Sequence, residues 1–243
     1  MSDNLDIILF PCLSDNYGFL IHDRKSGQTV SVDTPDADEI ARQCDMRGWQ
    51  LTDIWNTHWH PDHTGGNQAL KARYDCRITG PNLIEGRIPL LERGAGDGDL
   101  IHIGTHEVRV LHTPGHTDEH IIYYIPSAKA AFVGDTIFVM GCGKLFEGNP
   151  AQMWDSLSKI MSLPDDTALY CAHEYTLSNA KFALHVDPDN AALQAAVEAA
   201  KTKRDQGLPT VPTHVAAERS TNPFITAANA DELGHRRTLK DKF

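Results

Sequence analysis

The first part of the chain alternates short apolar runs with turn-forming residues, a pattern typical of β-strands. Three such runs predict a meander of strands over residues 7–13, 17–22 and 28–33. A helix is expected to follow, because Pro35 suits a first helical turn, acidic residues come early in the segment, and Gly48 is a stop signal. The opening of the chain is therefore predicted to be a strand meander that leads into a helix.

The next apolar run, 53–57, predicts a strand that leads directly into a histidine-rich segment. The pattern over 64–74 has helical spacing, so His63 is expected at a strand-to-helix junction. Side chains in such loops can converge on one site. The segment from His58 to His63 is therefore well placed for a functional site.

Further along, strands and helices alternate, and then helices predominate. Strands are predicted over 100–103, 107–112, 120–125, 130–133 and 168–171, and helices over 153–161, 177–185 and 190–204. This order predicts a layered α/β core followed by a smaller helical region. We therefore expect two domains, residues 1–172 and residues 173–243.

The composition is that of an ordinary globular protein, with 41% hydrophobic and 23% charged residues. A net charge of -11 disfavours nucleic acid and anionic membranes as partners and favours a small molecule. No apolar run approaches the roughly 18 residues of a membrane span, and the chain begins with acidic residues where a signal peptide would be basic. Five scattered cysteines without a Cys-x-x-Cys pair are typical of buried free thiols. These features predict a cytoplasmic protein, which we expect to be a monomer.

The segment Thr57-His58-Trp59-His60-Pro61-Asp62-His63 concentrates four potential metal ligands. In an extended chain, residues two apart point to the same side, so His58 and His60 can bind one ion together. Pro61 turns the chain, which lets Asp62 and His63 face a second ion. Four ligands in so short a segment are more than one tetrahedral metal easily uses, so the spacing predicts metal binding. Imidazole and carboxylate ligands suit zinc, iron and manganese.

Two neighbouring ions need about three more protein ligands, one of them preferably a bridging carboxylate. Three candidates each stand where a strand-like run meets a loop: His116 in Thr113-Pro114-Gly115-His116-Thr117, Asp135 in Val133-Gly134-Asp135-Thr136, and His173 in Cys171-Ala172-His173-Glu174. Each signal is weak alone, but their shared position makes them a set. Ligating imidazoles usually hydrogen-bond through their other nitrogen, and the candidate partners are Asp33, His112 and His120.

Thr-His-x-His-x-Asp-His, Pro-Gly-His-Thr, Gly-Asp-Thr and a later histidine together resemble the motifs of the metallo-β-lactamase superfamily, and the resemblance covers the whole chain. More specific runs resemble the glyoxalase II family, the hydroxyacylglutathione hydrolases: Gly141-Cys142-Gly143-Lys144, His173-Glu174-Tyr175-Thr176, Thr221-Asn222-Pro223-Phe224 and Arg237-x-x-Lys240-Asp241-x-Phe243. The resemblance implies a four-layer αββα sandwich as the catalytic domain, with a smaller C-terminal α-helical domain that binds substrate.

The same resemblance implies two divalent metal ions per chain, with zinc favoured and iron or manganese as alternatives. One ion would be bound by His58, His60 and His116, and the other by Asp62, His63 and His173. Asp135 and a water or hydroxide would bridge the ions, so that Asp62 and Asp135 are the predicted catalytic residues. The implied glutathione-binding residues are Lys144, Phe146, Tyr175, Arg237 and Lys240. The family often has Tyr where this chain has Phe146, so one hydroxyl that would bind glutathione is absent.

Two cations lower the pKa of a bound water toward neutrality, which provides hydroxide beside a carbonyl carbon. A thioester is a suitable target, because its thiol departs as a thiolate with little need of a general acid. The resemblance narrows the substrate to S-D-lactoylglutathione and related S-(2-hydroxyacyl)glutathiones, with D-lactate and glutathione as products, the second step of methylglyoxal detoxification. Two alternatives stay open: an iron-dependent glutathione persulfide dioxygenase, which uses one metal, and a non-catalytic binding module.

Overall fold

The computed structural model describes residues 4–82 and 86–243. Its strands are β1 (Leu5–Cys12), β2 (Asn16–Asp23), β3 (Thr29–Val32), β4 (Asp53–Trp55), β5 (Arg77–Pro81), β6 (Arg93–Ala95), β7 (Leu100–Ile103), β8 (His106–His112), β9 (Ile121–Ile125), β10 (Ala130–Gly134), β11 (Ile137–Phe138), β12 (Gly141–Cys142), β13 (Ala168–Cys171) and β14 (Thr213–His214). Its helices are α1 (Ala37–Arg47), α2 (Pro61–Thr64), α3 (Asn67–Tyr74), α4 (Pro150–Met161), α5 (Thr176–Val186), α6 (Ala191–Asp205), α7 (Val215–Thr221) and α8 (Ala230–Lys240).

The strands form two six-stranded sheets, in the orders β1-β2-β3-β4-β5-β6 and β14-β13-β10-β9-β8-β7, and β11 pairs with β12. The chain groups into two compact units. The first contains the residues up to His112 together with Glu119–Phe132, and the second contains Thr113–Asp118 together with Val133–Phe243. The expected domain division after residue 172 stays a prediction.

The first unit contains the whole sheet from β1 to β6. Strands β1, β2 and β3 are antiparallel, whereas β3 to β6 are parallel. Parallel neighbours need crossover connections, which α1 supplies between β3 and β4 and α3 between β4 and β5. The carboxyl ends of β3 and β4 therefore lie side by side, and the Asp33 N–H donates to the Trp55 carbonyl at 3.0 Å. The loops after these two strands start at the same edge of the sheet.

Helix α1 ends at Gly48, as the sequence predicts, and begins at Ala37, so that Pro35 precedes the helix and does not lie in its first turn. The Asp36 side chain accepts hydrogen bonds from the backbone N–H groups of Asp38 and Glu39, and Gly48 ends the helix in the left-handed conformation, with φ 68°. Its buried side chains pack into a core cluster with apolar residues of the sheet, including Leu20, Ile54 and Ile78. This packing fixes the helix against the strands that carry the loops described above.

Strands β7, β8, β9 and the start of β10 form an antiparallel ladder in the first unit. Tyr123 of β9 is fully buried, which raises the pKa of its hydroxyl well above the ordinary value. That hydroxyl donates to the Asn56 carbonyl at 2.8 Å, and the Ile121 N–H donates to the Thr57 carbonyl at 2.9 Å. Strand β9 therefore holds the backbone of the loop that follows β4.

The second unit is largely helical. Helix α4 starts with a capping box, in which Asn149 and Gln152 satisfy each other's backbone N–H groups. Helices α5 and α6 share an apolar core with the β11–β12 turn, which contributes Met140. The helical character predicted for the C-terminal third is therefore confirmed, and α7 and α8 extend it beyond the predicted segments.

The predicted strands and helices are found with shifts of a few residues, except for the helix expected over 64–74. That prediction was wrong, because two glycines interrupt the segment and α2 ends before α3 begins. A side chain at Gly65 would lie 2.7 Å from the Pro61 carbonyl, and one at Gly66 would crowd Thr34. His63 consequently lies within α2, not at the junction before a long helix. The five cysteines are buried free thiols, as predicted. Across residues 4–82 and 86–243, no helix combines the length and apolarity needed to cross a membrane.

Candidate metal centre

His58 and His60 lie in the loop between β4 and α2. The loop is anchored at its start, because the Asp33 carboxylate accepts the Thr57 N–H at 2.7 Å. Nε2 of His58 lies 3.1 Å from Nδ1 of His60. The two nitrogens therefore converge on one position, as ligands of a single ion do, although the loop is bent and not an extended strand.

His63 is held by both its backbone and its ring. Its carbonyl accepts a hydrogen bond from the Asn56 side-chain amide at 2.9 Å, and its Nδ1 lies 2.8 Å from Oδ2 of Asp33. A carboxylate only accepts, so Nδ1–H is the donor and Nε2 is left with its lone pair. Asp33, a candidate partner from the sequence, is therefore confirmed as the group that orients the His63 ring.

Asp62 approaches His63 from the first turn of α2. Its Oδ2 lies 3.4 Å from Nε2 of His63, and the same oxygen accepts a hydrogen bond from the Asn16 amide at 3.1 Å. Asn16 begins β2 and is buried. No sequence motif indicates this residue, because its contact with Asp62 depends on strand pairing.

In the second unit, Asp135 lies between two histidine rings. Its Oδ2 is 3.4 Å from Nε2 of His116, and its Oδ1 is 3.4 Å from Nε2 of His173. All three side chains are buried. One carboxylate oxygen therefore faces each imidazole, the arrangement that a bridging carboxylate needs.

His116 is oriented by the backbone around it. Its Nδ1 donates to the Lys144 carbonyl at 2.8 Å, which leaves Nε2 toward Asp135. Gly143 packs against the same two residues: a Cβ there would lie 2.1 Å from the Asp135 carbonyl and 3.1 Å from His116. The segment before Lys144 therefore has room only for glycine at this position.

The donor atoms suit divalent metal ions. Neighbouring ligand atoms in a tetrahedral zinc site with bonds of about 2.0–2.1 Å lie about 3.3–3.4 Å apart. The separations in each unit, 3.1 Å between His58 and His60 and 3.4 Å for the aspartate–histidine pairs, are close to that value. Seven residues of the described ranges are candidate ligands, and they are the seven predicted from the sequence: His58, His60, Asp62, His63, His116, Asp135 and His173.

The two other histidines proposed as hydrogen-bond partners differ in their surroundings. His120 is buried and its ring stacks on that of His58, with centroids 4.8 Å apart. His112 ends β8, where its backbone N–H donates to Asp97 at 2.7 Å. The His120 ring therefore packs against a candidate ligand.

Lys144 and Phe146, predicted to bind substrate, lie beside His116. The Lys144 ammonium is 5.4 Å from the centre of the Phe146 ring, and that ring meets the His116 ring edge-on at 5.3 Å. Phe146 is 60% exposed. The ring is therefore largely exposed to solvent next to a candidate ligand and a cation.

Tyr175 stacks on another candidate ligand. Its ring is parallel to that of His173, with centroids 4.7 Å apart, and Phe138 packs edge-on against it at 5.3 Å. Tyr175 is 38% exposed, whereas Phe138 is buried. The tyrosine therefore covers the His173 ring and keeps part of its surface accessible.

Arg237 and Lys240 have polar contacts within the C-terminal helices. Arg237 is buried, and its two terminal nitrogens donate to the Cys142 carbonyl and to Asp241, each at 2.9 Å. Lys240 donates to the Ser178 carbonyl at 3.0 Å. Burial, and after it the nearby Arg237 charge, lowers the pKa of the Lys240 ammonium. The structure brings both residues close to the β11–β12 hairpin and α5, and their role toward substrate stays a prediction.

Both parts of the chain match models of known protein families. Residues 33–173 match the model of the metallo-beta-lactamase superfamily, which covers more than half of the chain. Residues 174–243 match the model of the hydroxyacylglutathione hydrolase C-terminus. The chain belongs to the hydroxyacylglutathione hydrolase family of the metallo-β-lactamase superfamily.

Individual relatives agree with this assignment. The hydroxyacylglutathione hydrolase of Maricaulis maris is 53% identical over 89% of this chain and 84% of its own length. That of Erythrobacter litoralis is 51% identical over 92% of this chain and 88% of its own. Among solved structures, ETHE1 from Myxococcus xanthus superimposes with a TM-score of 0.74 and 26% identity, over 96% of this chain and 89% of its own. The predicted fold class, a metallo-β-lactamase fold with a C-terminal helical region, is confirmed.

Proposed function

We propose that this chain hydrolyses S-D-lactoylglutathione and related S-(2-hydroxyacyl)glutathiones to the free acid and glutathione, the second step of methylglyoxal detoxification. The observation that carries the proposal is the identity of about half of all residues with curated hydroxyacylglutathione hydrolases over most of both chains. The match of the C-terminal segment to the hydroxyacylglutathione hydrolase model supports the choice of thiol carrier.

We further propose that the histidines and aspartates of the two units together bind two divalent ions per chain. His58, His60 and His116 would hold one ion, Asp62, His63 and His173 the other, and Asp135 would bridge them. The buried imidazole and carboxylate donors of each unit support this division, and they suit zinc first, with iron or manganese as alternatives. When bound, such ions would supply a hydroxide at neutral pH and stabilise the oxyanion that forms during thioester cleavage.

Other residues of the chain orient the candidate metal ligands by hydrogen bonds. The Asp33 carboxylate holds the proton of His63 on Nδ1, and the Lys144 carbonyl does the same for His116. Both rings therefore present an unprotonated Nε2 without any rearrangement when metal binds. Asn16 orients the Asp62 carboxylate in the same way.

The glutathione part of the substrate is proposed to bind near His116 and His173. We propose that Lys144, Arg237 and Lys240 bind the carboxylates and peptide groups of glutathione by charge-assisted hydrogen bonds. Tyr175 and Phe146 would pack against its apolar parts, and Tyr175 also has a hydroxyl to donate. No separate general acid is needed, because the glutathione thiol leaves as a thiolate.

A single preparation tests the proposal. Purified chain reconstituted with zinc, iron or manganese should contain two ions per chain and hydrolyse S-D-lactoylglutathione. The loss of the thioester absorbance measures the hydrolysis. If the chain hydrolyses no thioester with any of the three metals, the proposed hydrolase activity is wrong. One iron per chain with oxygen consumption on glutathione persulfide would instead support the dioxygenase, an alternative that the names of the curated relatives do not favour. Metal uptake without either reaction would indicate a binding module.

We propose a cytoplasmic location, because all five cysteines are free thiols despite their number. A small-molecule partner, without nucleic acid or membrane, agrees with the net charge of -11. Analytical ultracentrifugation at assay concentration tests the expected monomer.

A further inference from the structure

The β11–β12 hairpin, residues 137–142, connects Asp135 to Lys144 and has an unusual backbone. Its turn places Met140 at φ 55°, a left-handed conformation that residues other than glycine, asparagine and aspartate rarely adopt. The hairpin is buried apart from a half-buried Val139, so its backbone polar groups need partners within the protein. Two strands of two residues each cannot supply them all, and side chains from elsewhere do so.

Glu218 of α7 supplies the partner for the strained residue. Its Oε2 accepts the Met140 N–H at 2.9 Å, and its Oε1 accepts the Thr213 hydroxyl at 2.7 Å. The carboxyl group is buried. A buried carboxylate is costly unless it is hydrogen-bonded, and these bonds both offset that cost and tie the Glu218 side chain to the hairpin turn.

Asn222, which follows α7, binds the next stretch of the hairpin. Its amide nitrogen donates to the Gly141 carbonyl at 2.9 Å and to Oε2 of Glu218 at 2.9 Å. Its side-chain oxygen accepts the Phe224 N–H at 3.0 Å. The side chain is fully buried. Asn222 therefore ties Glu218, the hairpin and the chain after α7 into one network.

Two further side chains complete the support of the hairpin. Asn179 of α5 donates to the Val139 carbonyl at 3.1 Å, and Arg237 of α8 donates to the Cys142 carbonyl at 2.9 Å. Helices α5, α7 and α8 thus each contribute a side chain to the backbone of this short segment. The C-terminal helices therefore support the position of the hairpin in addition to its own short pairing.

A displacement of the hairpin would reach the candidate ligands directly. Gly143 follows the hairpin and packs against the Asp135 carbonyl and His116 with no space for a Cβ. The next residue, Lys144, accepts the His116 Nδ1–H at 2.8 Å. The His116 carbonyl in turn accepts the Phe146 N–H at 3.2 Å. The hairpin therefore determines where the groups that orient His116 lie.

We propose that Glu218 and Asn222 are positioning residues: by holding the 137–142 hairpin they fix the Lys144 carbonyl, and through it the tautomer and aim of the His116 ring. This inference rests on the proposed metal centre, and it assigns a function to the Thr221-Asn222-Pro223-Phe224 run. Neither residue touches substrate or metal in this scheme. Their effect is exerted on metal affinity and on the placement of Lys144.

The test is zinc affinity, measured on the full chain by competition with a chromophoric chelator. Asn222→Ala should weaken zinc binding by about tenfold, the lower end of the usual loss when a partner of a metal ligand is removed, because Asn222 acts on His116 only through the hairpin. Asn222→Ser keeps an acceptor for the Phe224 N–H but loses the amide donors, and it should weaken zinc binding in the same direction. It is the variant of choice if the alanine variant does not fold. Glu218→Gln should bind zinc nearly as the wild type does, because its amide can accept from Met140 and donate to Thr213.

Asn190→Ala is the matched control. Asn190 caps α6 and donates to the Ser220 carbonyl at 3.0 Å, so its loss destabilises the same region without a contact to the hairpin. It should lower the melting temperature and leave zinc affinity unchanged. If the Asn222 variants lower the melting temperature as Asn190→Ala does and keep wild-type zinc affinity, the role is only structural and the inference is wrong. The readout is independent of thioester turnover, so failure of the proposed hydrolase activity would be seen separately in the wild type.

Discussion

The carboxylate of Asp33 and the ring of His63 form a buried pair, with Oδ2 of the aspartate 2.8 Å from Nδ1 of the histidine. Asp33 follows β3 and His63 lies in the first helix after β4, so the pair depends on the parallel pairing of these two strands. The same carboxylate accepts the Thr57 N–H and hydroxyl. The Asp33 side chain therefore anchors the start of the loop between β4 and α2 and also sets the tautomer of the His63 ring.

Asp33→Asn should lower metal affinity by about ten- to a hundredfold. The substitution keeps the size of the side chain and suits the backbone, since asparagine tolerates the left-handed φ of 55° found here. An amide nitrogen facing Nδ1 of His63 would, however, favour the tautomer with its proton on Nε2. Nε2 is the nitrogen proposed to bind the metal, so this tautomer cannot bind it. Isothermal titration with zinc measures the loss.

Asp53→Asn is the control for this variant. Asp53 lies at the start of β4, is buried, and hydrogen-bonds Arg77, Thr52 and Gln28. Its loss should reduce stability and leave zinc affinity unchanged. Equal affinity losses in both variants would show that general destabilisation, and not the Asp33–His63 pair, explains the effect.

Asp135→Ala should reduce metal content and thioesterase rate together. The carboxylate faces both His116 and His173, so its removal takes away a ligand that each ion is proposed to share. Metal analysis and initial rates on the same preparation check this, with the exposed Asp155→Ala as control. Full metal content in the Asp135 variant would contradict a bridging role.

The candidate ligands could be predicted because these residues lie in short motifs at strand ends. His58 to His63 is contiguous, and Asp135 and His173 each follow an apolar run that forms a strand. Only the glycines at 65 and 66 misled the helix prediction, because their close approach to Pro61 and Thr34 is a tertiary contact.

The supporting residues were harder to predict. Asn16 contacts Asp62 from 46 positions away, and Glu218 contacts Met140 from 78 positions away. Local spacing contains no information about such pairs. The hairpin strands of two residues are also too short for a periodic pattern, so the element that orients Lys144 was absent from the sequence prediction.

Phe146→Tyr should lower KM for S-D-lactoylglutathione and leave kcat nearly unchanged. The ring is 60% exposed, and it stands beside Lys144 at the proposed glutathione position, where an added hydroxyl would offer one more hydrogen bond to the substrate. One added hydrogen bond is worth about 0.5–1.5 kcal/mol, or roughly two- to twelvefold in KM. A thioester without glutathione is the control substrate, and its KM should not change. An equal gain for both substrates would indicate a general effect on the site.

Glu218 makes the stability of the second unit depend on pH. Burial raises the pKa of its carboxyl from 4.5 to about 7, although Thr213, Asn222 and the Met140 N–H oppose this shift. The folded state therefore binds more protons than the unfolded chain between these two values, so the contribution of this group to stability falls as pH rises from 4.5 to about 7 and is constant above. For a pKa shift of this size, the ionisation of Glu218 lowers the free energy of unfolding by about 3 kcal/mol.

Glu218→Gln removes this titration. Relative to the wild type, its free energy of unfolding should rise by about 3 kcal/mol between pH 4.5 and pH 8, with most of the change below pH 7. Urea denaturation at several pH values measures the difference, in which the contributions of all other groups cancel. Glu198→Gln, at an exposed position on α6, should show no such change. If the difference in free energy of unfolding between wild type and Glu218→Gln is constant across this range, Glu218 stays ionised in the folded protein. Only a proton that the folded wild type binds at Glu218 below about pH 7 can make this difference depend on pH.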